Sequence, residues 1–229
     1  MKQVAKREIR IPVAGSGISL TGNLSVPEGA DNIVIFSHGS GSSRHSPRNQ
    51  NVALFLNKHN IATLLIDLLS QEEDSIYENR FNIELLTNRL VTVTEYVHRN
   101  PELKKLHIGY FGASTGAASA INAAARLEDI TEAIVSRGGR PDLAVQGLPF
   151  VEAPTLFIIG GLDTDVIKLN KDAYNRLNCK KKMQIIDGAS HLFEEPGKLD
   201  IVSELAADWF QLNLGITKRQ NQKIKTPAL

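Results

Sequence analysis

Continuous apolar runs recur along this chain, and segments of helical period separate them. Asn32–Ser37 (NIVIFS), Ile61–Ile66 (IATLLI), Leu106–Phe111 (LHIGYF) and Thr155–Ile159 (TLFII) are apolar at nearly every position. A strand with one wet face alternates apolar and polar residues, whereas an unbroken run suits a strand covered on both faces, as in a parallel sheet. Shorter strands are read at Ala133–Ser136 and Met183–Ile186. Helices are read from Pro47 through NQNVALFLNKHN, over 82–98, from the GASTG stretch at 112–116 to Arg126, over 167–178 and over 198–213. Ile83, Leu86, Leu90, Val93 and Val97 fall at helical spacing in the second of these, and Leu199, Val202, Leu205, Trp209 and Leu212 make one stripe in the last. Residues 8–13 and 18–26 alternate around Gly15-Ser16-Gly17, which predicts an antiparallel hairpin. The acidic stretch 70–80 (SQEEDSIYENR) is read as a solvated loop. Strands alternating with helices imply right-handed crossovers, and so an α/β fold with a mostly parallel, doubly wound sheet of about seven to eight strands.

Composition narrows the function classes. With 229 residues, 42% of them hydrophobic, the chain can build one sizeable core, read as a single domain over 1–214 followed by a basic, aperiodic tail over 215–229. Lys plus Arg (26) balances Asp plus Glu (25), leaving a formal charge of +1 and no field to gather nucleic acid or anionic lipid. One cysteine excludes an internal disulfide framework and most metal clusters. The N-terminus MKQVAKREIRIPVAG lacks the apolar core of a secretory signal, and no apolar run reaches the roughly 18 residues a membrane span needs. The expectation is a soluble cytoplasmic protein with no nucleic-acid or membrane partner; a homodimer is compatible with it.

In doubly wound sheets, ligands collect at the carboxyl ends of the strands. Here those ends carry His38-Gly39, Ser114, Asp163 and His191. Ser114 sits in Gly112-Ala113-Ser114-Thr115-Gly116, after a strand and before an Ala-rich helix. A hydroxyl must stand clear of its own backbone to attack a carbonyl, and a cramped strand-to-helix bend achieves this if small residues flank it. The Thr115 N–H, at the positive end of the new helix, then faces a developing oxyanion. The loop after NIVIFS offers the second donor, assigned to the Ser40 N–H. His191, just past the last strand, is the candidate base. The acid that orients it should lie between serine and histidine in the chain. Asp163 is nearer its strand end, and Asp165, two residues on, is the alternative. Arg44, Arg48, Arg137 and Arg140 lie in two loops rimming the strand ends, as a clamp for an anionic substrate group or as structural ion pairs. The acidic loop at 72–78 is a candidate cover, though a solvated loop is the simpler reading.

These motifs together resemble the α/β-hydrolase superfamily, and within it the small, lid-poor dienelactone-hydrolase-related group. The resemblance runs over nearly all of residues 8–213. It is most specific at HGSGSSRHSPRN (38–49), GASTG (112–116), SRGGRPDLA (136–144), GGLDTDV (160–166) and GASHLFEEPG (188–197). Those phrases are similar to hydrolase domains that sometimes occur fused to a phosphoribosyltransferase domain. The resemblance implies a Ser-His-Asp hydrolase of a small acyl substrate, needing neither metal nor organic cofactor. One departure stands out: dienelactone hydrolase itself uses a cysteine nucleophile, whereas the elbow here carries Ser114 and the only cysteine, Cys179, lies in the polar NCKKK segment. The competing reading is a hydrolase-fold binding protein or partner subunit with an idle triad.

Overall fold

A computed structural model describes residues 3–216; most of the basic tail expected at 215–229 lies outside them. The sheet has eight strands: β1 (Val4–Pro12), β2 (Ser19–Pro27), β3 (Asn32–Ser37), β4 (Ile61–Ile66), β5 (His107–Ala113), β6 (Thr131–Arg137), β7 (Thr155–Gly160) and β8 (Lys181–Ile186). Their order across the sheet is β1-β2-β4-β3-β5-β6-β7-β8. The hairpin β1–β2 is antiparallel and β2 runs antiparallel to β4, while every pairing from β4 to β8 is parallel. Each residue of β4 and β7 is buried, as continuous apolar runs require.

The helices are α1 (Pro47–Lys58), the single turn α2 (Gln71–Asp74), α3 (Ile83–Arg99), α4 (Thr115–Arg126), α5 (Thr164–Arg176) and α6 (Lys198–Asn213). They divide between the two faces of the sheet. Leu86, Leu90, Val93 and Val97 of α3, Ala118, Ala120, Ala123 and Ala124 of α4, and Val166 and Ala173 of α5 share one apolar cluster. Val52, Ala53 and Leu56 of α1 pack with Val202, Ala206, Trp209 and Phe210 of α6 in the other. Among the described residues, no helix is long and apolar enough to cross a membrane.

The chain winds from β3 to β4 in one direction and returns across β3 to start β5. The connections leaving β3 and β5 therefore diverge, opening a crevice at their carboxyl ends. That reversal places the loop at 38–46 beside the turn at Ser114.

Two local readings differ from the structure. The 70–80 stretch is not an open loop. Ser70 and Glu73 form a reciprocal capping box that starts α2, a 3₁₀ turn spans Tyr77–Phe81, and Glu73 pairs with Arg89 of α3. The α6 stripe is also rotated: Leu212 is exposed, and Ala206 and Phe210 take its place against the sheet.

Candidate active site

Strand β5 ends at Ala113 and α4 begins at Thr115, so Ser114 alone makes the bend. Its backbone sits at φ 51°, ψ −123°, a region costing a non-glycine residue about 1–3 kcal/mol. Surrounding bonds hold it there. The Ser114 N–H donates to the Arg137 carbonyl at 3.2 Å, and the Ser114 carbonyl accepts from Ala117 N–H (3.1 Å) and Arg140 N–H (3.0 Å). The flanking glycines are required by space. A Cβ on Gly116 would lie 2.1 Å from the Ser37 carbonyl oxygen, and one on Gly112 would lie 2.5 Å from Ala117 Cα. The helix thus seats directly against the ends of β3 and β5, leaving the serine side chain projecting from the bend.

His191 follows β8 and brings Nε2 to 3.4 Å from Ser114 Oγ. Its Nδ1 lies 2.5 Å from Asp163 Oδ2. Asp163 occupies the N-cap position of α5 yet makes no capping bond, because its carboxylate turns to the imidazole instead. Helix α5 begins three residues earlier than periodicity suggests, which is why Asp163 stands at its first turn. Asp165 does not approach the histidine: its side chain is 90% exposed beside Lys168.

Sequence reasoning missed two residues that shape the histidine loop. The Glu195 carboxylate accepts the Ser190 N–H at 3.1 Å, and its bonds from Ser190 hold its pKa below the ordinary value. Phe193, at φ 57° and fully buried, pins the loop to the α1–α6 side of the sheet. An aromatic inside the polar phrase HLFEE is the one signal that pointed to it.

Ser40 and Thr115, the two residues expected to supply oxyanion donors, meet in an arrangement the sequence did not suggest. The Ser40 N–H donates to Thr115 Oγ1 at 2.8 Å, so it reaches towards the site through a side chain. Thr115 N–H opens α4 and has no acceptor within the helix.

The arginines do not form one clamp. Arg44 is bound to Asp67 by its backbone N–H at 2.7 Å and by its guanidinium, and to Glu8 at 3.1 Å. Arg140 makes a two-bond pair with Asp142, both at 2.8 Å. Arg48 pairs with Glu194 at 2.7 Å. Arg137 alone meets no carboxylate. It is 5% exposed, its Nε is unpartnered, one Nη donates to Asn49 Oδ1 at 3.3 Å, and its guanidinium lies 5.9 Å from the Phe193 ring centroid. Burial, and then the neighbouring Arg48 charge, lower its pKa from 12.5 to about 10.

Cys179 stays apart from this cluster. It lies 3.9 Å from the hydroxyl of Thr155, at the amino end of β7, and burial raises its thiol pKa. On the β4 side of the 38–46 loop, a cavity of about 380 Å³ is lined by His38, Ser42, Ser43, Arg44, Asp67 and α2 residues.

A doubly wound sheet with serine, histidine and aspartate gathered at its carboxyl ends defines an α/β-hydrolase fold. The comparisons with known proteins place the chain more narrowly. It is 50% identical to a dienelactone hydrolase from Anabaena variabilis, with a TM-score of 0.89 over 93% of this chain and 99% of that one. The chain belongs to the dienelactone hydrolase family. An esterase from Pyrococcus furiosus shares the fold at 17% identity, with a TM-score of 0.78 over 92% of each chain. Two curated relatives from Mycobacterium tuberculosis, whose descriptions name a phosphoribosyl transferase, are 49% identical over 204 residues. Those residues are 89% of this chain and 46% of each relative, so the chain spans about half the length of the curated relatives it matches. No family model matches the sequence.

Proposed function

We propose that this protein is a serine hydrolase that cleaves an ester, thioester or lactone of a small to medium acyl compound through an acyl-enzyme. The observation that carries this reading is the alignment of Asp163, His191 and Ser114 at 2.5 and 3.4 Å around a serine held on a strained bend. The longer of these contacts is of the kind that tightens when substrate enters. His191 takes the Ser114 proton as the hydroxyl attacks the carbonyl, and Asp163 orients the ring and stabilises the imidazolium. The tetrahedral oxyanion forms at the N-terminus of α4, where the Thr115 N–H, backed by the Ser40 peptide, stabilises it. His191 then protonates the leaving group and activates the water that releases the acid. The Arg137 guanidinium, which meets no carboxylate and belongs to the residue whose carbonyl accepts the Ser114 N–H, favours substrates with an anionic group near the carbonyl.

A panel of p-nitrophenyl esters of graded length, with Ser114→Ala as control, tests the proposal. Turnover in Ser114→Ala is expected to fall on the order of 10³-fold or more with the fold intact. Labelling by a fluorophosphonate probe is expected in the natural chain and lost in the variant. A chain that neither labels nor turns over any ester is a binding protein on a hydrolase scaffold, and the proposal fails.

A further inference from the structure

We infer that the Thr115 side-chain hydroxyl is itself a donor to the oxyanion, set in place by the Ser40 N–H. This rests on the serine hydrolase reading and adds a catalytic group to it.

The Gly39–Ser40 peptide is held at its carbonyl end. Its carbonyl accepts two bonds, from His38 Nδ1 at 3.0 Å and from Ser42 N–H at 3.1 Å. The two ends of a trans peptide point in opposite directions. With its carbonyl held by two donors, the Ser40 N–H is turned the other way, onto Thr115 Oγ1 at 2.8 Å. His38 is well suited to this anchoring. It is buried, and its Nε2 accepts the Leu68 N–H at 3.2 Å, which leaves the ring proton on Nδ1 for the Gly39 carbonyl. Burial also lowers the His38 pKa, which keeps the ring neutral and able to accept at one nitrogen while donating at the other. The loop lies close on the elbow: a Cβ on Gly39 would sit 3.0 Å from Ser114 Cβ. Peptide, hydroxyl and nucleophile therefore form one packed unit.

The donor count at the elbow follows. The Ser40 N–H is already committed, and serving an oxyanion directly would mean leaving Thr115. The Thr115 hydroxyl has the complementary balance. It accepts from Ser40, and among the described residues its own proton has no protein acceptor, although the residue is 5% exposed. Buried hydroxyls seldom leave a proton unused. This one belongs to the residue whose N–H faces the developing charge, and accepting a bond from an amide makes it a stronger donor. The oxyanion is thus met by the Thr115 N–H and the Thr115 O–H, with the Ser40 dipole acting through the second.

The test compares Thr115→Val and Thr115→Ser on a neutral p-nitrophenyl ester, with Ser114→Ala alongside and thermal unfolding as a fold control. Thr115→Val is nearly isosteric; it removes the hydroxyl and, with it, the acceptor of the Ser40 N–H. Its kcat is expected to fall at least about 10-fold with KM within about 2-fold, the signature of an interaction made in the transition state. Thr115→Ser keeps the hydroxyl and is expected to restore kcat to within about 3-fold. Inhibition by a boronic acid, which forms a tetrahedral adduct on serine, is expected to weaken in parallel with kcat across the series. If valine lowers the unfolding temperature below the assay, Thr115→Ala makes the same comparison. Natural kcat in a folded variant without the hydroxyl overturns the inference, as does a gain in kcat, which would make the hydroxyl a plug. Loss of activity in Ser114→Ala together with natural kcat in Thr115→Val removes this inference alone. Retained activity in Ser114→Ala removes the serine hydrolase reading beneath it.

Discussion

Arg137 shows how a single residue can work against the fold that holds it. A guanidinium that is nearly inaccessible and meets no carboxylate costs the native state several kcal/mol in lost hydration. Arg137→Met keeps most of the volume and removes that charge. We expect stability unchanged or raised by about 1 kcal/mol, measured by urea unfolding. In the same variant, the preference for a carboxylated ester over its neutral analogue is expected to fall about 10-fold or more. Equal losses on both esters would assign the arginine to packing alone. The residues whose place at the strand ends was legible share a property: each announces itself locally. Ser114 has its glycines, and His191 and Asp163 sit just beyond strand ends. The fate of the arginines was not legible, because Arg44 meets Glu8 and Arg48 meets Glu194 from distant parts of the chain.

At the scale of elements, the link between β3 and β4 is expected to weaken in acid. His38 follows the first strand directly and receives the Leu68 N–H just after the second. Burial, the largest influence on it, outweighs the Gly39 carbonyl and Asp67 and lowers its pKa below 6.5. The unfolded chain then takes up this proton at a higher pH than the folded one. The stability His38 contributes is therefore present above about pH 6.5 and is lost progressively as pH falls below it. Urea midpoints at pH 8 and pH 5.5 are expected to show the drop, and His38→Gln to show a smaller one. An identical drop in both proteins would place the acid sensitivity elsewhere. Element boundaries were less legible than element types. Helix α5 starts at Thr164 because Asp163 leaves its cap position to bind His191, a choice made across 28 residues. The acidic composition of 70–80 masks helix α2, whose local signal is the Ser70–Glu73 capping pair.

For the whole molecule, the sheet is the shared wall of two apolar clusters. Neither layer of helices has another surface on which to bury its stripe, so the two should unfold together. Trp209, the only tryptophan, reports the α1–α6 layer, where its indole N–H donates to the Pro154 carbonyl at 3.3 Å. Its fluorescence and the far-ultraviolet circular dichroism of the whole chain are expected to give coincident urea transitions. An earlier fluorescence transition would show that the α1–α6 layer separates first.

The alternation of strands with the long helices, and which residue types stand at the strand ends, were determined by the sequence alone. Apolar period and turn residues act over a few positions and need no distant partner to be read. Tertiary structure decided which charges are neutralised, where the Ser40 N–H points and which acid reaches His191. Each of those depends on groups remote in sequence brought within about 3 Å, a distance at which small differences in loop path select the partner.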